Sequence, residues 1–195
     1  YFSVEYLQQT ILESCDELNV PKVLVHGEPY AKNVFEKDGI VVGLLNWSVC
    51  HSGCFGEDLA KVICWNLSMK ERIEYTTNLL ESYHIHFVRY AGIECALTFD
   101  LVRRAFDKFV PLAMVLFLNK ILTVADDHKN EPIFERARTL IQNVYSNDRI
   151  LEDAATHKVS IQSIHEGHHA HTHSHPNSTN WDNKQHTRRT SKYGT

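Results

Sequence analysis

Three short polar motifs interrupt apolar runs in the first third of the chain, and they hold the side chains best suited to chemistry. Val23-Leu24-Val25 runs into His26-Gly27-Glu28, Asn33 follows, Gly43-Leu44-Leu45 leads into Asn46-Trp47, and Gly56-Glu57-Asp58-Leu59-Ala60 comes next. Glu28 is a carboxylate at the first motif, and Asn33 and Asn46 are neutral amides after it. Taken one by one, each is also an ordinary polar loop residue, and a histidine at a strand end such as His26 is more often a structural hydrogen-bonding group than a catalyst. Two other groups could bind metal. Cys50 and Cys54 have three residues between them rather than the two of a zinc knuckle, and no second pair accompanies them, so they read as buried thiols without a structural zinc. His165, His168, His169, His171, His173 and His175 are dense enough to chelate a transition metal, but in a segment that must first be ordered.

The elements that must position the three motifs follow from periodicity. Val4, Leu7, Ile11, Cys15 and Leu18 recur at helical spacing, closed by Asn19 and Pro21. Lys22 to His26, Asn33 to Phe35 and Ile40 to Leu45 read as short strands, the last two joined by a turn at Asp38-Gly39. Val49 to Gly56 reads as a Gly- and Cys-rich loop, and Asp58 to Leu67 as a helix apolar on most faces. Ser68 and Glu71 form a capping-box pair opening a helix with Ile73, Leu80, Tyr83, Phe87 and Tyr90 on one face and Gly92 at its end. Thr98 caps the next helix, which Pro111 is expected to break or kink before Leu112 to Val124. After a polar connection, a last helix runs from Pro132 to Tyr145 with Ile133, Ala137, Leu140, Ile141 and Val144 as its stripe. Beyond about His157 the composition is too polar to offset the entropy of ordering, so residues 1–150 are expected to form the domain and 151–195 a disordered His-rich tail.

Composition narrows the function classes. The chain has 195 residues, 43% hydrophobic and 23% charged, as in an ordinary globular domain. A formal net charge of -4 gives no basic footprint for nucleic acid. Phe109 to Leu118, the longest apolar run, is about half of the ~20 residues a membrane-crossing helix needs, so no membrane insertion is expected. Five irregularly spaced cysteines without a signal segment point to a reducing, cytoplasmic setting. An apolar pattern that starts almost at Tyr1 suggests a segment of a longer protein.

The three motifs, their order and the intervening hairpin together resemble the choline kinase and aminoglycoside phosphotransferase superfamily, most closely its CHK-kinase-like branch. The resemblance spans roughly Leu7 to Tyr145 and corresponds to the C-terminal lobe. It implies an α+β, mainly helical fold: the C-terminal lobe of a protein-kinase-like domain with a short β-hairpin at the catalytic loop. In that family the pattern is His-Gly-Asp, then Asn, then Asp-Trp, then Asp-Leu. Phosphoryl transfer explains the residue types, because its loose transition state asks mainly for placement and charge neutralisation. By resemblance Glu28 takes the base position, Asn33 the metal-binding Asn and Asn46 the metal-binding Asp, so that only Asn33 keeps the family identity. Glu28 is one methylene too long, and a shift of ~1 Å at a reacting group can cost on the order of 100-fold in rate. Asn46 brings no charge to offset a divalent ion. Asp58 is expected to hold the loop through its backbone. No Gly-rich phosphate loop or Lys/Glu pair precedes Lys22, so the N-terminal lobe is expected to be missing.

These readings imply a kinase-like domain of impaired catalysis, binding a protein partner. Two alternatives stand beside it. The first is an active phosphotransferase that uses Mg²⁺ and ATP on a small-molecule alcohol or amine; the second is a metal-binding protein acting through its His-rich tail. An inactive domain would need no cofactor.

Overall fold

The computed structural model describes residues 1–92, 96–123 and 132–146. Helix α1 (Val4–Leu18) starts at Ser3, whose hydroxyl accepts from the Tyr6 N–H, and stops at Asn19, which turns left-handed at φ 52°. Strand β1 (Val23–Val25) follows, and then the hairpin of β2 (Val34–Lys37) and β3 (Ile40–Leu44), antiparallel with an irregularity between Phe35 and Glu36. The expected turn at Asp38-Gly39 is formed by two positive-φ residues, at 55° and 78°.

The Gly- and Cys-rich stretch is not all loop, contrary to the sequence reading. His51–Gly53 forms β4, antiparallel to β1 with Val23 opposite Gly53 and Val25 opposite His51. Three residues with a glycine carry no alternation of their own, and the pairing partner is remote in sequence. Helix α2 (Phe55–Asn66) then begins three residues before the expected Asp58. Of the two cysteines expected to be buried thiols, Cys54 is buried but Cys50 is exposed; Cys64 is buried too, and burial pushes the Cys54 and Cys64 thiols up to about 12.

Helix α3 (Met69–Ala91) carries the expected capping box at Ser68 and Glu71. Its stripe is only partly covered: Leu80 is buried and Tyr83 and Phe87 pack against the core, whereas Ile73 is 74% and Tyr90 83% exposed. Its first turns are nonetheless anchored, because the buried Arg72 donates to the Thr139 hydroxyl at 3.1 Å. Helix α4 (Phe99–Leu122) continues through Pro111 as one helix, so of the expected break or kink the break does not occur. Proline removes one helical hydrogen bond at a typical cost of ~3 kcal/mol. The buried Phe109, Leu112 and Ala113 around it hold both halves in the core. A last helix, α5, covers residues 132–146, and its Ala137, Leu140 and Val144 are buried.

The core lies between α2 and α4, with Ile63, Phe109, Leu112, Met114 and Phe117 fully buried and α1, α3 and α5 packed around them. The fold is thus mainly helical, with two small antiparallel strand pairs. No helix among the described residues is long and apolar enough to cross a membrane. All described residues fall within 1–150; the tail 151–195, with its histidine cluster, lies outside the described residues.

Candidate functional site

The loop leaving β1 is built on Asp58, in the first turns of α2. Its two carboxylate oxygens accept the backbone N–H groups of His26 at 2.6 Å and Gly27 at 2.9 Å. Gly27 has φ 85°, and a Cβ there would meet the Val49 carbonyl oxygen at 2.9 Å, so the close approach of β1 to the segment before β4 requires glycine. His26 is buried and structural. Its Nδ1 accepts from the Glu28 N–H at 3.2 Å, which makes Nε2 the donor to the Leu45 carbonyl at 2.8 Å. Trp47 packs edge-on against the same ring at 4.5 Å. Asn66, at the end of α2, accepts from the Ala31 N–H and donates to the Pro29 carbonyl, tying the far side of the loop.

Within this frame Glu28, Asn33 and Asn46 come together. Asn33 is buried and donates its amide to the Glu28 backbone carbonyl at 2.9 Å. Asn46 adopts φ 62°, a left-handed conformation that asparagine tolerates, and donates its amide to Glu28 Oε2 at 2.6 Å. Its Oδ1 accepts the Ser48 hydroxyl at 3.0 Å. Turning the Asn46 amide over would set oxygen against carboxylate, so the network fixes its orientation.

One participant has no motif to announce it. Lys120, in the last turn of α4, donates to Glu28 Oε1 at 2.9 Å. Its ammonium also lies 5.6 Å from the ring centres of both Tyr30 and Trp65. The bond from Lys120 holds the Glu28 carboxyl below the ordinary glutamate range; the charges of Lys120 and Lys32 and the Asn46 amide add to this, against a smaller opposing effect of burial. Glu28 is therefore a weak base at neutral pH with both oxygens engaged. Beneath the loop, Lys61 and Glu57 form a buried pair at 2.6 Å; Lys61 also donates to the Gly27 carbonyl at 2.8 Å, and Glu57 meets His51 at 3.1 Å. An acid and a lysine four apart in an otherwise apolar helix were the available signal for that pair. Nothing in the sequence linked Lys120 to Glu28, 92 positions away.

The magnesium site implied by the resemblance does not fit these residues. Each Glu28 oxygen already accepts a hydrogen bond, one from a cationic ammonium, Asn46 turns its NH₂ inward and its oxygen to Ser48, and only the Asn33 oxygen has no bond of its own here. Divalent hard cations need several oxygens and usually a carboxylate. Among the described residues no group of three or more His, Cys, Asp or Glu side chains could hold a metal.

In comparison with known proteins, the model of a family described as "Uncharacterized oxidoreductase dhs-27" aligns with residues 4–161. No curated protein and no solved structure matches.

Proposed function

The chain belongs to the family described as uncharacterised oxidoreductase dhs-27, and from that premise, together with the geometry around Glu28, we propose that it is a kinase-like domain of impaired catalysis that acts by binding a protein partner. The reading is that of a C-terminal lobe, with the β2–β3 hairpin at a former catalytic loop. The observation that carries it is the state of Glu28: the base position is a salt-bridged carboxylate, and the metal-binding Asp position is an amide donating to it. The surrounding frame supports the same reading, because the side chains that hold the loop, His26, Trp47 and Asp58, are all engaged in holding it. A domain that keeps its scaffold while its reactive groups neutralise one another suits recognition better than turnover. Such a protein would act in the cytoplasm.

The word oxidoreductase in the family's description finds little support in this chain. None of its eight glycines stands two positions from another, so the Gly-x-Gly-x-x-Gly fingerprint of dinucleotide binding does not occur. The described strands pair antiparallel, whereas that fingerprint works within a parallel βαβ unit.

Calorimetry with Mg²⁺-ATP tests the proposal, using wild type, Asn46→Asp and the Glu28→Asp, Asn46→Asp double variant. Absence of binding by wild type, with heat restored in the two variants that carry Asn46→Asp, is the expected result. Ordinary micromolar-to-millimolar binding by wild type would instead favour an active phosphotransferase with a small alcohol or amine as acceptor.

A further inference from the structure

We infer that the ammonium of Lys120 is a built-in counter-cation of the site, occupying the carboxylate of Glu28 in competition with any divalent metal ion. This deepens the reading of the site as a degenerate kinase-like centre and rests on it. An exposed lysine–glutamate pair would mean little, since such pairs are weak and exchange freely with solvent. The Lys120 pair differs in its surroundings. Both side chains are largely covered, at 22% and 30% exposure. The ammonium is 2.9 Å from Oε1 and 5.6 Å from the centres of two aromatic rings, so carboxylate and π-faces stabilise one charge together. Of the other nearby lysines, Lys61 is committed below the loop to Glu57 and the Gly27 carbonyl and Lys32 adds only its charge, whereas Lys120 bonds Glu28 directly.

A cation at this carboxylate would compete with the bond from Lys120 on one oxygen and the bond from Asn46 on the other. The displaced ammonium, tethered to α4, would remain within reach and repel the newcomer. The competition is thus between an intramolecular monocation, always present, and a free dication that loses water to bind. Lys120 thereby adds a barrier to metal binding separate from the loss of the aspartate at position 46.

Terbium ion is a suitable probe, because it prefers oxygen ligands and its emission is sensitised by nearby Trp47, Trp65 and Tyr30. Titrations on the full chain compare wild type, Lys120→Met, Lys120→Arg, and Lys120→Met combined with Glu28→Gln. Lys120→Met should gain a saturable site at least about tenfold tighter than any in wild type, and the Glu28→Gln combination should lose it. Lys120→Arg should stay blocked. Equal binding by wild type and Lys120→Met, or a gained site indifferent to Glu28→Gln, overturns the inference.

Wild type alone supplies a second measurement should the methionine variant fold poorly. Amine-reactive labelling read by mass spectrometry should find Lys120 protected relative to the exposed Lys37 and Lys70, with or without millimolar Mg²⁺. Labelling of Lys120 that rises with Mg²⁺ would mean that the metal displaces it and would overturn the inference. Failure here is distinguishable from failure of the proposed function. If wild type binds Mg²⁺-ATP, both fall; if wild type and Lys120→Met are both silent while Asn46→Asp binds, only the role of Lys120 falls.

Discussion

At the scale of single residues, Glu28 and Asp58 divide the work that carboxylates can do near this loop. Asp58 accepts two backbone N–H bonds, and hydrogen bonds to a charged group contribute roughly 1.5–3 kcal/mol each. Asp58→Ala should therefore lower unfolding free energy by about 2–4 kcal/mol in urea titration, with Asp58→Asn milder because its amide oxygen can still accept one of the two bonds. Glu28 contributes differently, through its charge. Its folded-state pKa is depressed by Lys120, so its stabilisation is fully present above the unfolded value, near pH ~4.3, and is lost as pH falls through the lower folded value. Wild type should exceed Glu28→Gln in stability at pH 7, with the gap narrowing only below about pH 4.5. A gap that instead closes between pH 6 and 8 would place the effect on some other group.

At the scale of elements, α2 holds the loop on one side and packs on α4 on the other, and both jobs leave marks in its sequence. Gly56 lies so close to α4 that a Cβ would meet the Ala105 carbonyl oxygen at 2.5 Å. Gly56→Ala should cost about 1–3 kcal/mol despite alanine's better helix propensity, because backbone atoms cannot move aside as a flexible side chain can. Thermal melting of that variant decides between the two effects, since propensity alone would raise Tm. The elements were largely legible beforehand. Ser68 and Thr98, read as caps, each accept a helical N–H at the start of α3 and α4, and such local chemistry is written in adjacent residues. What escaped was nonlocal: β4, whose partner strand lies remote in sequence, and the passage of α4 through Pro111, where burial overrides a local rule.

At the scale of the whole molecule, the same division between local and nonlocal information separates the part of the site that could be read from the part that could not. Glu28, Asn33 and Asn46 stand in motifs on either side of one hairpin, and a hairpin brings its flanks together by its own geometry. Lys120 reaches the site only because α4 packs on α2, a consequence of the core as a whole. The core leaves the hairpin itself uncovered. Phe35, Ile40, Val41, Val42 and Leu44 are each 43% or more exposed, on a two-stranded unit whose edges pair with no other strand among the described residues. An apolar hairpin with unpaired edges invites strand addition between molecules, and a net charge of -4 spread over 195 residues repels such contacts only weakly. The chain should therefore self-associate with rising concentration, and Ile40→Lys with Val42→Lys should keep it monodisperse in light scattering at concentrations where wild type is not. Those two side chains contribute little to the core, so Tm should move by only about 1–2 °C. A wild type as monodisperse as the double-lysine variant would mean that strand twist alone protects the edges; a large fall in Tm would mean that the hairpin's apolar side chains stabilise the fold after all.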